Sequence, residues 1–207
     1  MVYLPNYGGS GILHPNLKQM NTVIINGSPR KHGTVHTILK AVGIVLSSKG
    51  TVTEFNVYDE RIEDCIGCMA CRNVGACTLY SDSMPAIIEA IRSADTIVIG
   101  TPTHWAGMSS KLKAMFERMV PVVMDSSMPP KPLLKGKKAL LVTACSVSWP
   151  LNWILGESTG TLKGIKKILS YGGVKVAGTA TIAGTKKRVL DHHEITSIAE
   201  KLSRKVK

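Results

Sequence analysis

The sequence predicts an α/β domain built on a doubly wound, five-stranded parallel sheet with helices on both faces. Three observations point there. Short apolar runs of buried-strand length recur along the chain, and segments with the three-and-four apolar spacing of a helix face separate them. The first run also passes directly into a glycine-containing turn. Strands alternating with helices demand parallel crossovers, so both faces of the sheet need cover.

The elements follow in order. Thr22 to Asn26 is the first apolar run and ends in GSPRKHG. Val35, Ile38, Leu39, Val42, Val45 and Leu46 then mark one helix face. Val52 to Val57 reads as the second strand, followed by a loop carrying four cysteines. Ser81 or Asp82 is placed to cap a helix whose apolar face is Met84, Ile87, Ile88 and Ile91. Thr96 to Gly100 is the third strand. Ser109 is placed to cap the next helix, which turns Leu112, Met115, Phe116, Met119 and Val120 inward. Ala139 to Thr143 repeats the strand pattern, Leu162, Ile165 and Ile168 mark a helix, and Val174 to Ile182 is the fifth strand. Ile195, Ile198, Ala199 and Leu202 belong to the closing helix. No repeat or linker divides the chain, which reads as one domain over 22–207 with the cysteine loop inserted at about 60–82. Residues 1–21 form an N-terminal arm, either packed on a partner subunit or frayed.

Composition narrows the classes. Of 207 residues, 44% are hydrophobic and 19% charged, and no apolar run is long enough to span a bilayer. The first residues lack the basic start and apolar middle of a secretion signal, so a cytoplasmic protein with no membrane partner is expected. Five cysteines, four of them in one loop, do not make a secreted disulfide framework. The net charge of +12 is spread over KPLLKGKK, LKGIKK, GTKKR and KLSRKVK, and aromatic residues are only 5%. Without stacking platforms among the bases, nucleic acid is not the expected partner. The basic surface is either simply solvated or steers an acidic electron carrier or phosphorylated cofactor toward the site.

Ligands of a doubly wound sheet sit beyond the carboxyl ends of its strands, which directs attention to the loops after Asn26, Gly100 and Thr143. GSPRKHGTVHT leaves a strand and opens a helix, so unpaired amides and the positive helix end converge on an anion, with phosphate expected. Ser28 and Thr34 offer hydroxyls, Arg30 a charged fork, and Gly33 a close backbone approach. It is not a nucleoside triphosphatase loop, because Thr34 stands where the lysine would be, and the dinucleotide fingerprint is absent. A plain turn linking strand to helix is the alternative.

Cys65, Cys68, Cys71 and Cys77 sit in DCIGCMACRNVGACT. Structural zinc usually takes two hooks from separated turns, whereas three cysteines at successive three-residue steps with a fourth soon after wrap one side of a cubane. Gly67 and Gly75 are placed to relieve crowding there. A [4Fe–4S] cluster, a zinc ion and an unoccupied loop that shapes a subunit contact all stay open.

Taken together, GSPRKHGT, TPTHWAGMSSKLKAMFER and TACSVSWP resemble the flavodoxin-like NAD(P)H-dependent FMN reductases, and the cysteine loop narrows the resemblance to iron–sulfur flavoproteins. It covers roughly residues 22–185. The resemblance implies that Ser28, Arg30, Gly33 and Thr34 hold the FMN phosphate, and that Pro102, Thr103, His104, Trp105, Ala106, Gly107 and Met108 border the isoalloxazine ring. Ala144, Cys145 and Ser146 approach its other edge, although a buried, inert thiol is the favoured reading of Cys145. Trp105 either covers the flavin or packs on a helix; His104 either tunes the ring or is merely exposed. Cys65, Cys68, Cys71 and Cys77 would hold the cluster. The chain departs from the family pattern at Gly33-Thr34-Val35, where members often carry an asparagine, and at His104-Trp105, where an aromatic pair is common. The implied activity is an FMN-dependent oxidoreductase coupling a [4Fe–4S] cluster to FMN, with NAD(P)H or a small carrier such as ferredoxin as partner and a homodimer or homotetramer as assembly. A cluster-free NAD(P)H-dependent FMN or quinone reductase is one alternative. A non-catalytic binding module with a zinc-filled or empty cysteine loop is the other.

Overall fold

Residues 19–206 are described in the computed structural model of the chain. The first 18 residues of the expected arm lie outside the described residues. Strands β1 (Thr22–Asn26), β2 (Val52–Asn56), β3 (Thr96–Pro102), β4 (Lys138–Ala144) and β5 (Lys175–Ile182) form one parallel sheet in the order β2-β1-β3-β4-β5. The order reverses between β1 and β3, where Asn26 stands opposite Gly100 on one side and Asn56 on the other.

Two-residue alternation along the strands divides the core. Val23, Ile25, Ile97, Ile99 and Leu141 face α3 (Met84–Ser93), α4 (Ser110–Arg118), α5 (Val120–Val123) and α7 (Glu157–Tyr171). Ile24, Val98, Leu140 and Val142 face α1 (Thr34–Ser47) and α8 (His192–Ser203). Each fully buried aliphatic side chain contributes about 1.5–3 kcal/mol to this two-sided packing. Two short helices, α2 (Ala70–Val74) in the cysteine loop and α6 (Leu151–Ile154) after β4, complete the chain. None of the helices is long and apolar enough to cross a membrane, among the described residues.

The five strands and their covering helices stand as expected. The cap assignments differ. Ser83, not Ser81 or Asp82, immediately precedes α3 and makes no side-chain cap; the Asp82 carboxylate accepts instead from the Met84 N–H (3.2 Å). Ser109 does precede α4, but its hydroxyl donates to the Gly27 carbonyl (2.7 Å), fastening the third loop to the first. The Ser109 hydroxyl is thus diverted to a longer-range partner, whereas Asp82 takes one amide at the helix start and pairs with Arg118 as well. Among the described residues only α8 carries a reciprocal capping box, between Asp191 and Glu194.

Candidate functional site

Beyond the carboxyl ends of β1, β3 and β4 lies a cleft of about 220 Å³ lined by Ser28, Pro29, Arg30, Gly33, Thr34, Val35, Pro102, Thr103, His104, Ala144, Ser146 and Thr185. Its floor is the turn after β1. Asn26 is fully buried there, and its side-chain oxygen accepts the Ser28 N–H (3.0 Å) while its amide nitrogen donates to Nδ1 of His36 (2.9 Å). The Ser28 hydroxyl accepts the Arg30 N–H (3.2 Å), and Gly33 folds back to donate to the Arg30 carbonyl (3.1 Å). A Cβ on Gly33 would stand 2.9 Å from Cβ of Arg30, so a larger residue cannot keep this turn. α1 then starts without a side-chain cap or an acidic residue in its first turn, which leaves its positive end facing the cleft. Among the described residues Arg30 makes no ion pair, so its guanidinium is available at the same edge.

The opposite wall is a tight hairpin. His104 and Gly107 exchange backbone hydrogen bonds (2.9 and 2.8 Å) around Trp105 and Ala106, both with left-handed backbones (φ 50° and 55°). Two consecutive non-glycine residues in that region cost about 1–3 kcal/mol each, and such strain persists only when the surroundings hold it. The holders are on α7: Glu157 accepts the Ala106 N–H (3.2 Å), and Thr161 donates to the Gly107 carbonyl (3.0 Å). Gly160 makes room, since a Cβ there would meet the Ala106 carbonyl at 2.6 Å. The hairpin displays Trp105 at 99% exposure.

Of the predicted site residues, Ser28, Arg30, Gly33, Thr34, Pro102, Thr103, His104, Ala144 and Ser146 converge on the cleft. Trp105, Ala106, Gly107, Met108 and Cys145 are not among its lining. Trp105 packs on no helix, His104 is exposed, and Cys145 is buried with its carbonyl accepting from both the N–H and the hydroxyl of Thr185 (3.1 and 3.2 Å). Sequence reasoning missed Thr185, whose loop follows β5; the Gly184-Thr185 pair at a strand's carboxyl end was the available signal. It also missed Asn26, Glu157 and Thr161, which act on the site through other residues.

The cysteine loop forms a second feature. Cys65, Cys68, Cys71 and Cys77 all line one concavity of about 200 Å³ together with Ile66, Met69, Leu79 and Val120. Among the described residues no three Cys, His, Asp or Glu side chains converge closely enough for a single metal ion. Gly67 and Gly75 have left-handed backbones (φ 66° and 72°) with open space where a Cβ would be, so backbone conformation rather than crowding calls for glycine.

Arg118, at the end of α4, is 2% exposed beside this concavity and pairs with the equally buried Asp82. Burial alone would raise the Asp82 pKa, but hydrogen bonds from Arg118 and from the Glu63 and Met84 amides outweigh it and hold the carboxyl below its ordinary value. Burial likewise opposes the charge on Arg118, and Asp82 and the Cys77 thiol together outweigh it. Apart from the Cys77 sulfur beside the guanidinium, the buried Nε–H of Arg118 has no partner among the described residues. An orphaned cationic donor beside four thiols fits a sulfur-bound, electron-rich group in this loop.

Residues 20–152 match the family of NADPH-dependent FMN reductases. An iron–sulfur flavoprotein of Methanocaldococcus jannaschii is 31% identical over 104 residues, covering 50% of this chain and 53% of that protein. Another, of Methanosarcina thermophila, is 34% identical over 97 residues, 46% of this chain and 50% of that protein. The chain spans about half the length of the curated relatives it matches. In three dimensions it is similar to an FMN-dependent NADH-azoreductase from Bacillus anthracis solved in complex with FMN, with a TM-score of 0.65 and 19% identity over 88% of this chain and 96% of that one.

Proposed function

Because this chain belongs to the family of NADPH-dependent FMN reductases, we propose that it is an FMN-dependent oxidoreductase whose cleft at the ends of β1, β3 and β4 seats the flavin nucleotide. The observation that carries the reading is the uncapped start of α1, folded on Gly33 and flanked by Ser28, Arg30 and Thr34, all facing one cleft. That end suits a dianionic phosphate. A volume of about 220 Å³ is small for a whole nucleotide and suits its phosphate and polyol chain, which leaves the ring to the open mouth along Pro102–Met108. The hairpin held by Glu157 and Thr161 would orient that ring. FMN, when bound, supplies transfer of single electrons or of a hydride.

Cys65, Cys68, Cys71 and Cys77 are proposed as ligands of a [4Fe–4S] cluster, in an insertion at about 60–82 of a domain spanning 22–207. Their shared concavity and the buried Nε–H donor of Arg118 beside it support this assignment. NAD(P)H or a small acidic carrier is the proposed electron partner, matched by the basic surface. A homo-oligomer is proposed from Trp105, Trp149, Trp153, Ile154 and Leu155, which stand exposed on the hairpin and around α6. Anaerobic purification tests the whole reading. Bound flavin with iron and acid-labile sulfide supports it. Flavin alone supports a cluster-free NAD(P)H-dependent reductase, and protein that takes up neither is a non-catalytic module.

A further inference from the structure

One guanidinium organises the cysteine loop. Nη1 of Arg118 donates to the Glu63 carbonyl (3.2 Å) and to Asp82, and Nη2 donates to the Leu79 carbonyl (2.5 Å) and to Asp82 (3.3 Å). Glu63 stands two residues before the first loop cysteine and Leu79 two residues after the last. Asp82 adds to the closure by accepting the Glu63 N–H (2.9 Å). Both feet of the loop are therefore fixed from within by a side chain that water does not reach.

Four of the five guanidinium N–H bonds face these carbonyls and this carboxylate. The fifth, on Nε, is buried and unpaired. Leaving a charged donor without an acceptor in the interior is costly, and native structures rarely tolerate it without a use. Arg118 lines the same concavity as the four cysteines, and Cys77 lies close enough to act on its charge. The other charged side chains on that lining are Arg72, whose Nη1 reaches the Asp125 carbonyl (3.4 Å), and Glu117, paired with Lys113 (2.5 Å).

We propose that Arg118 Nε–H is the hydrogen-bond donor to a sulfur of the loop's iron–sulfur centre, at or beside Cys77, and that this bond raises the centre's reduction potential. The proposal rests on the cluster reading given above. Reduction adds negative charge to the sulfurs, so a fixed cationic donor stabilises the reduced form more than the oxidised one. Since its other four N–H bonds are committed to the loop's feet, the donor cannot swing away when the charge changes.

The test uses anaerobically loaded protein grown on arginine labelled with 15N at Nε, examined by pulsed EPR of the reduced cluster. The expected result is a 15N coupling that persists in Arg72→Lys and vanishes in Arg118→Lys, with FMN affinity unchanged in both. The lysine variant keeps the charge but loses Nε–H. Its cluster should bind an electron about tenfold more weakly, a 59 mV fall for one electron. The coupling in unsubstituted protein is read without any variant, so misfolding of Arg118→Lys leaves the question decidable. Loaded protein without the coupling, or a coupling lost with Arg72 instead, overturns the proposal alone. Protein that takes up no iron and sulfide overturns the cluster reading and the proposal with it.

Discussion

Asn26→Ala removes the side chain on which the phosphate turn is folded. Asn26 is wholly buried at the reversal of strand order, and its two polar atoms serve different elements: the oxygen takes the Ser28 N–H and the nitrogen reaches His36 on α1. Alanine supplies neither atom. Ser28 is itself 4% exposed, so its N–H would be orphaned at about 1–3 kcal/mol, and the lost bond to half-buried His36 adds about 0.5–1.5 kcal/mol. The expected loss is about 2–4 kcal/mol, read from urea unfolding of FMN-free protein followed by circular dichroism. Because the turn also aims Ser28 and Arg30 at the cleft, FMN affinity measured by flavin fluorescence should fall about tenfold or more. A stability change below about 0.5 kcal/mol with unaltered FMN affinity would refute the claim that this amide shapes the site.

Further outcomes follow from the same geometry. Arg30→Ala should weaken FMN by about 1.5–3 kcal/mol in a titration, the worth of a charge-assisted bond to phosphate, while leaving thermal stability unchanged. Cys68→Ala should abolish iron in anaerobically loaded protein yet retain stoichiometric FMN; unchanged iron would exclude this ligand assignment. Asp82→Asn leaves the Arg118 charge buried without its counter-ion, and should destabilise the fold by about 3 kcal/mol or more at neutral pH. Its pH dependence has a definite sign. The folded carboxyl titrates below its unfolded value of about 3.9, so its contribution is complete above that value and is lost as pH falls through the folded one. Unfolding curves of the two proteins should therefore converge in acid. Gly160→Ala should drive a methyl group against the Ala106 carbonyl, costing about 1–3 kcal/mol and altering the visible spectrum of bound flavin through the displaced hairpin.

The sheet and the turn after its first strand were legible because each leaves a periodic or compositional mark. A run such as TVIIN followed by GSPRKHG announces both a buried strand and the glycine-containing turn that lines the cleft after it. The supports of the site leave no such mark. Asn26 reads as the polar end of a strand, since its partners are the nearby Ser28 amide and a His36 ring on the next helix, and Glu157 and Thr161 read as ordinary helix surface, because their partners are backbone groups many residues away. Of the two roles open to Trp105, packing on a helix is overturned, because the left-handed turn leaves the indole exposed. Arg118 was hidden by its helix. The apolar stripe Leu112, Met115, Phe116, Met119 explains the sheet-facing side of α4, whereas Arg118 is buried through its bonds to Glu63, Leu79 and Asp82 at the feet of the cysteine loop.

That double burial gives α4 a meaning beyond packing. At its start the Ser109 hydroxyl holds the Gly27 carbonyl at the mouth of the phosphate turn, and at its end Arg118 holds both feet of the cysteine loop. Nine residue steps from Ser109 to Arg118, at 1.5 Å each, set these two anchorages about 13.5 Å apart along a single rigid element. Each is a hydrogen bond from a buried side chain to a loop carbonyl, so neither loop can drift without breaking a bond that water does not replace. A flexible connection of equal length would leave the spacing between the loops to chance. The short helix instead makes it a property of the fold, as the proposed passage of electrons between a flavin and a cluster would require.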